Sequence, residues 1–232
     1  MSDISASYRA KESVTWINRD LDASALCESN SLFASDKCNR PIPRALEVFG
    51  FLSGLPFSET ARAQITGLQR ELTAFIPHNQ YYWVRPENLG IEYLVLKWPD
   101  EEWSQFKLEA ALRELAALEF SAFEMEFHGF QLHADGCLIV RGYDRNGEFA
   151  KIRKQLRNRL NFVSTRQSGW FHIPLGRILE PLGEKNFVSL RYYIDSTSKN
   201  MRFIEPISTV KLIHETRWYM EEHSVLAQKV AR

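Results

Sequence analysis

The chain has 232 residues, 44% hydrophobic and 25% charged, enough to bury a substantial core in one bilobal domain or two small ones. Lysine plus arginine equals aspartate plus glutamate at 29 each, which excludes the global basic field that drives non-specific nucleic-acid binding. Cys27, Cys38 and Cys137 lack any paired CxxC spacing, which argues against a disulfide framework and a structural zinc. The first seven residues lack a basic and apolar leader, and no apolar run approaches the roughly 20 residues of a bilayer span. The expectation is a cytoplasmic protein that does not enter a membrane.

Residues 1–43, rich in Ser, Asp, Asn and Arg with little periodicity, read as an extension that is partly helical or loose, ahead of an ordered domain over 44–232. Residues 48–52 read as a strand leaving into the turn Ser53-Gly54-Leu55-Pro56. A helix follows, capped by Ser58, with Ala61, Ile65, Leu68, Leu72 and Phe75 spaced as one buried stripe, and Pro77 ends it. Residues 82–84 and, after the turn-like Arg85-Pro86-Glu87-Asn88, residues 89–97 read as strands, the second largely buried. Residues 105–118 form a second amphipathic helix with Leu108, Leu112, Leu115 and Leu118 inward.

The order of elements then recurs. Phe123, Met125 and Phe127 alternate with Glu124, Glu126 and His128, the period-two mark of a strand with one dry and one wet face. Residues 137–140 form another strand, and about 147–160 a helix with Phe149, Ile152, Leu156 and Leu160 inward. Residues 170–177 form a strand carrying His172; a helix around 187–194 and strands near 201–204 and 208–214 close the chain. Two similar halves of alternating strands and helices, without Gly-rich phosphate loops or regular long βαβ spacing, predict an α+β fold with mixed or antiparallel sheets.

Several side-chain groups invite a chemical reading. Lys151, Arg153, Lys154, Arg157 and Arg159 make a basic helix whose outer face is solvated or contacts an RNA backbone. His128, His133 and Asp135 do not form a recognisable ligand set, so no metal is expected. Tyr81, Tyr82, Trp83, Tyr192, Tyr193, Trp218 and Tyr219 supply aromatic surface on which a base can stack.

Three segments carry a family resemblance over roughly residues 46–215: Arg85-Pro86-Glu87-Asn88-Leu89, Phe127-His128-Gly129-Phe130 with the strand and helix after it, and His172-Ile173-Pro174-Leu175-Gly176-Arg177. They resemble the approach to the first motif, the connection, and the second motif, His-x-Thr-Leu-x-Arg, of the two-histidine (2H) phosphoesterase superfamily, which includes RNA 2′,3′-cyclic phosphodiesterases. The resemblance implies a bilobal fold, two sheets with outer helices around a central cleft, each lobe supplying a histidine and a hydroxyl. Residues i and i+2 of a strand share a face, so both groups reach the cleft. One histidine then acts as base and the other as acid while the hydroxyls hold the phosphate.

In this chain the first motif reads Gly90-Ile91-Glu92, and the second keeps His172 but has Pro174 in place of the hydroxyl. The expectation is a degenerate site that binds a nucleotide, RNA end or small phosphorylated ligand in the cleft without a cofactor, with Gly90, Pro174, Tyr82 and Arg177 at the ligand. Arg177 sits at an odd offset from His172 and faces the cleft only if a bulge intervenes. One alternative is an active cyclic-phosphodiester hydrolase using Glu92 and His172 as a reworked pair. Another is a protein-interaction module with the N-terminal extension over a filled cleft.

Overall fold

The computed structural model describes residues 4–232. In chain order the elements are α1 (Ile4–Thr15), α2 (Ala23–Asn30), β1 (Phe33–Ser35), β2 (Pro41–Pro43), β3 (Ala45–Gly54), α3 (Glu59–Thr73), β4 (Tyr81–Trp83), β5 (Gly90–Lys97) and α4 (Gln105–Ala116). They continue with β6 (Phe123–Leu132), β7 (Cys137–Tyr143), α5 (Glu148–Arg159), β8 (His172–Ile178), α6 (Glu184–Thr197), β9 (Arg202–Ile207), β10 (Thr209–Arg217) and β11 (Glu222–Val230). Two main sheets result, ordered β11-β10-β3-β5 and β4-β8-β7-β6-β9, with β1 and β2 as a separate ribbon. Every pairing among the described residues is antiparallel. The class is α+β, bilobal, with helices outside two sheets.

The helices form where the apolar stripes lie. In α3 the Ser58 hydroxyl accepts from the Ala61 N–H at 3.3 Å, and Ala61, Ile65, Leu68 and Leu72 are buried. Phe149, Ile152 and Leu156 bury the inner face of α5, and Leu160 follows as its cap. The inner face of α4 is rotated from the expected one: Ala110, Ala111 and Leu115 are buried, whereas Leu108 and Leu112 are half-buried. The two alanines let this helix sit close against β10 and β11.

The segment ahead of β3 packs against the second sheet. Tyr8 of α1 is fully buried beside Cys137 and Ile139, and its phenol donates to the carbonyls of Gly142 and Phe171. Leu21, Leu26 and Phe33 enter the main core. Two such helices and a ribbon bury little periodic sequence, so only their tertiary anchors reveal them.

Candidate functional site

The edge strand β5 of the first sheet runs close to β8 of the second, and two devices fix that approach. Arg153 of α5 donates to the carbonyls of Tyr93 at 2.9 Å, Glu92 at 2.8 Å and Trp170 at 3.1 Å, tying both strands from behind. Its guanidinium also lies on the Phe149 and Phe171 rings, 5.3 and 4.9 Å from the centroids. Within the basic helix, then, Arg153 is turned into the protein, while Lys151, Lys154, Arg157 and Arg159 are exposed. The second device is Gln167, whose side chain pairs with both the N–H and the C=O of Val95. An amide thus completes the open edge of β5 and holds residues 163–170 across it.

Between the lobes lies a cavity of about 360 Å³. Val48, Gly50, Leu52, Gly90, Glu92, Val95, Ile213 and Glu215 form the first-lobe wall, and Cys137, His172, Pro174 and Arg177 the second-lobe wall. Trp98, Trp170, Trp218 and Tyr219 close its sides, and Arg166 stands exposed at the mouth. Trp98 and Trp218 meet edge to face with centroids 5.3 Å apart, and the Arg166 guanidinium lies 5.5 Å from the Trp98 centroid.

Strand register explains the first wall. Leu52 pairs with Glu92 and Ile213 with Gly50, so alternate residues of β5, β3 and β10 share the cavity face. Glu215 is 2% exposed and accepts from the Met220 N–H at 2.9 Å. Burial, together with the charge of Glu92, pushes its carboxyl up to about 8. Glu92 sits deep between the lobes and keeps part of its surface on the cavity. Burial raises it to about 7 against the opposing pull of Arg153. Its carboxyl has no hydrogen-bond or ion-pair partner among the described residues. Gly90 leaves limited room, since a Cβ there would stand 3.2 Å from the Ser53 carbonyl and 3.3 Å from Leu55.

The second wall depends on a bulge. Leu138 pairs with Gly176 but Ile139 with Pro174, so Leu175 is an extra residue in β8. His172 and Pro174 face the cavity, and the added residue brings Arg177 onto the same face. Gly176 permits this bend because β4 crosses closely there: a Cβ would lie 2.2 Å from the Tyr82 carbonyl oxygen. The Arg177 guanidinium donates to the Tyr219 phenol at 3.1 Å, to Ser29 of α2, and to Asp135 at 3.4 Å. The His172 imidazole, by contrast, has no partner among the described residues. Burial, with the neighbouring His133, Arg153 and Arg177, pulls it down to about 3, so it is neutral at physiological pH.

Five of the six residues expected at the site line one cavity: Gly90, Glu92, His172, Pro174 and Arg177. Tyr82 lies outside it, stacked at 5.6 Å behind the Tyr219 ring with its phenol donating to Glu221. Of the aromatic residues singled out in the sequence, Trp218 and Tyr219 reach the wall. Sequence reading missed Glu215, Trp98, Trp170 and Arg166. A carboxylate two residues after Ile213, and so on the same strand face as that apolar residue, was the available signal for the first. No three or more His, Cys, Asp or Glu side chains gather to hold a metal among the described residues.

No family model matches the sequence, and no curated protein does. Solved structures match over most of their length. TT0787 of Thermus thermophilus is 15% identical with a TM-score of 0.58, covering 80% of this chain and 98% of that one. LigT of E. coli complexed with phosphate is 13% identical with a TM-score of 0.56, covering 81% and 99%. A LigT complex with 3′-AMP gives 13%, 0.56, 80% and 98%. The fold is therefore that of the LigT-like 2H phosphoesterases, with about a fifth of this chain lying outside the match.

Proposed function

We propose that this protein binds a nucleotide, an RNA end or a similar small phosphorylated ligand in the inter-lobe cavity and has lost two-histidine phosphodiester hydrolysis. The carrying observation is the pair of strands facing one open aromatic cavity, with Gly90 and Glu92 on one and a neutral His172 with Pro174 on the other. An acid–base cycle on a phosphodiester needs one group that gives a proton and one that takes it near the working pH. His172, held down at about 3, is a poor base and carries no proton to give. Pro174 offers no hydroxyl, and Gly90 no side chain. The nucleotide complexes of LigT, with ATP and 3′-AMP, support the ligand class, and the tryptophan walls supply stacking surface.

The test is titration of the purified chain with 3′-AMP and ATP, followed by tryptophan fluorescence, beside an assay on 2′,3′-cyclic nucleotides and cyclic-phosphate RNA. The expected result is saturable quenching without turnover. A hydrolase reading has one observation in its favour, the Glu92 carboxyl raised to about 7, a range suited to a general acid or base. Turnover abolished by both Glu92→Gln and His172→Ala would establish that reading instead.

A further inference from the structure

The cavity is chemically graded from floor to mouth. At the floor are two carboxyls, the buried Glu215 and the unpartnered Glu92. Above them stand indole faces, and at the mouth is Arg166, whose guanidinium rests on Trp98 with no carboxylate at ion-pair distance among the described residues. A phosphate at the floor would meet the Glu92 carboxylate, while the guanidinium on the cavity wall, Arg177, is already engaged by Tyr219, Ser29 and Asp135 and that of Arg153 is spent on three carbonyls. The grading suits the opposite orientation.

We infer that the ligand is a guanine nucleotide bound base first, its ring against the indoles that line the cavity, its paired N–H edge on Glu92, and its phosphate outside on Arg166. A carboxylate accepts two parallel N–H bonds from an edge carrying adjacent donors, which guanine presents and adenine does not. The flat indoles take the ring without regard to its edge, so the carboxyl sets the choice of base. Beyond the mouth, a groove of about 520 Å³ shares Trp98, Arg166, Arg177 and Trp218 with the cavity. Glu28, Asp100 and Asp135 also line it, which disfavours an extended polyanion and leaves room for one phosphate beside Arg166.

This inference rests on the nucleotide-binding reading above, and the experiment separates the two. The full chain is titrated with guanosine, GMP and AMP by calorimetry and tryptophan fluorescence, with the fold of each variant checked by circular dichroism. Guanosine binds, GMP binds more tightly, and AMP binds at least tenfold more weakly than GMP. Arg166→Ala brings GMP down to the level of guanosine and leaves guanosine unchanged, whereas Glu92→Gln removes the preference for GMP over AMP. Equal affinity for AMP and GMP, or GMP binding with no response to either substitution, overturns the base-first orientation while nucleotide binding stands. Absence of binding by all three compounds overturns both.

Discussion

The two walls of the cavity differ in what their polar groups already do. On the second-lobe wall Arg177 is satisfied three times over by the protein itself, and it joins β8 to α2 and to the turn after β10. On the first-lobe wall Glu92 faces the cavity with nothing to bond. A buried charge that is fully bonded holds the fold together, and removing it strands its partners. A group left unbonded in a cavity weakens the fold and is free for a ligand. Position in a cleft alone does not separate these roles, whereas the hydrogen-bond ledger does.

Three measurements would break or sharpen that contrast. Arg177→Ala should cost about 2 kcal/mol in denaturant unfolding, since it leaves the buried Tyr219 phenol and Ser29 hydroxyl without their donor, while Asp135, 44% exposed, turns to water. Loss of the tie to Ser29 should also open the N-terminal segment to limited proteolysis; unchanged stability would contradict the structural assignment of Arg177. Glu92→Gln, its counterpart on the other wall, should not destabilise the protein at pH 8.

The next effect is pH-dependent. Glu215 titrates near 4.5 when unfolded and near 8 when folded, so the folded state binds the proton more tightly. Its contribution is fully present below 4.5 and is lost as pH rises to about 8, at up to about 1.4 kcal/mol per unit. Glu92 acts with the same sign up to about 7. His172, lowered to about 3, acts oppositely below 6.5. Melting temperatures between pH 7 and 8 therefore report mainly Glu215, with a smaller share from Glu92: they should fall for the wild type and fall clearly less for Glu215→Gln. An equal fall in both would remove Glu215 as the cause.

The smallest effect concerns the turn between β10 and β11. Tyr219 and Met220 both adopt left-handed backbone, with φ of 60° and 57°, where glycine or asparagine is usual. Met220→Gly should raise stability by about 1 kcal/mol in thermal unfolding. A loss would show that the Met220 side chain, on the cavity wall, contributes more through packing than its backbone gives up.

Much of the fold was legible because buried stripes and alternations repeat locally. Ser58 with the stripe of α3, and Phe149, Ile152 and Leu156 of α5, needed no tertiary knowledge. Glu92 and His172 were legible as cavity residues because strand periodicity fixes a face once one motif is located. Arg177 was legible only through the family motif, since its odd offset from His172 needs an inserted residue in β8 that nothing in the spacing announces. Strand β11 escaped notice because its residues are half-exposed or exposed throughout. Trp98, Trp170 and Arg166 come from connecting segments, and the meeting of such segments is settled by Gln167 and Arg153 rather than by any local pattern.

Arg153 carries a consequence for traffic. A single guanidinium bonded to Glu92, Tyr93 and Trp170 works as a hinge pin at the back of the two lobes. The lobes cannot part there without stranding three carbonyls and a cation, so any widening is confined to the sides that Arg153 does not span. An occupant therefore reaches the cavity from the sides away from α5, and the back of the cleft stays closed to it.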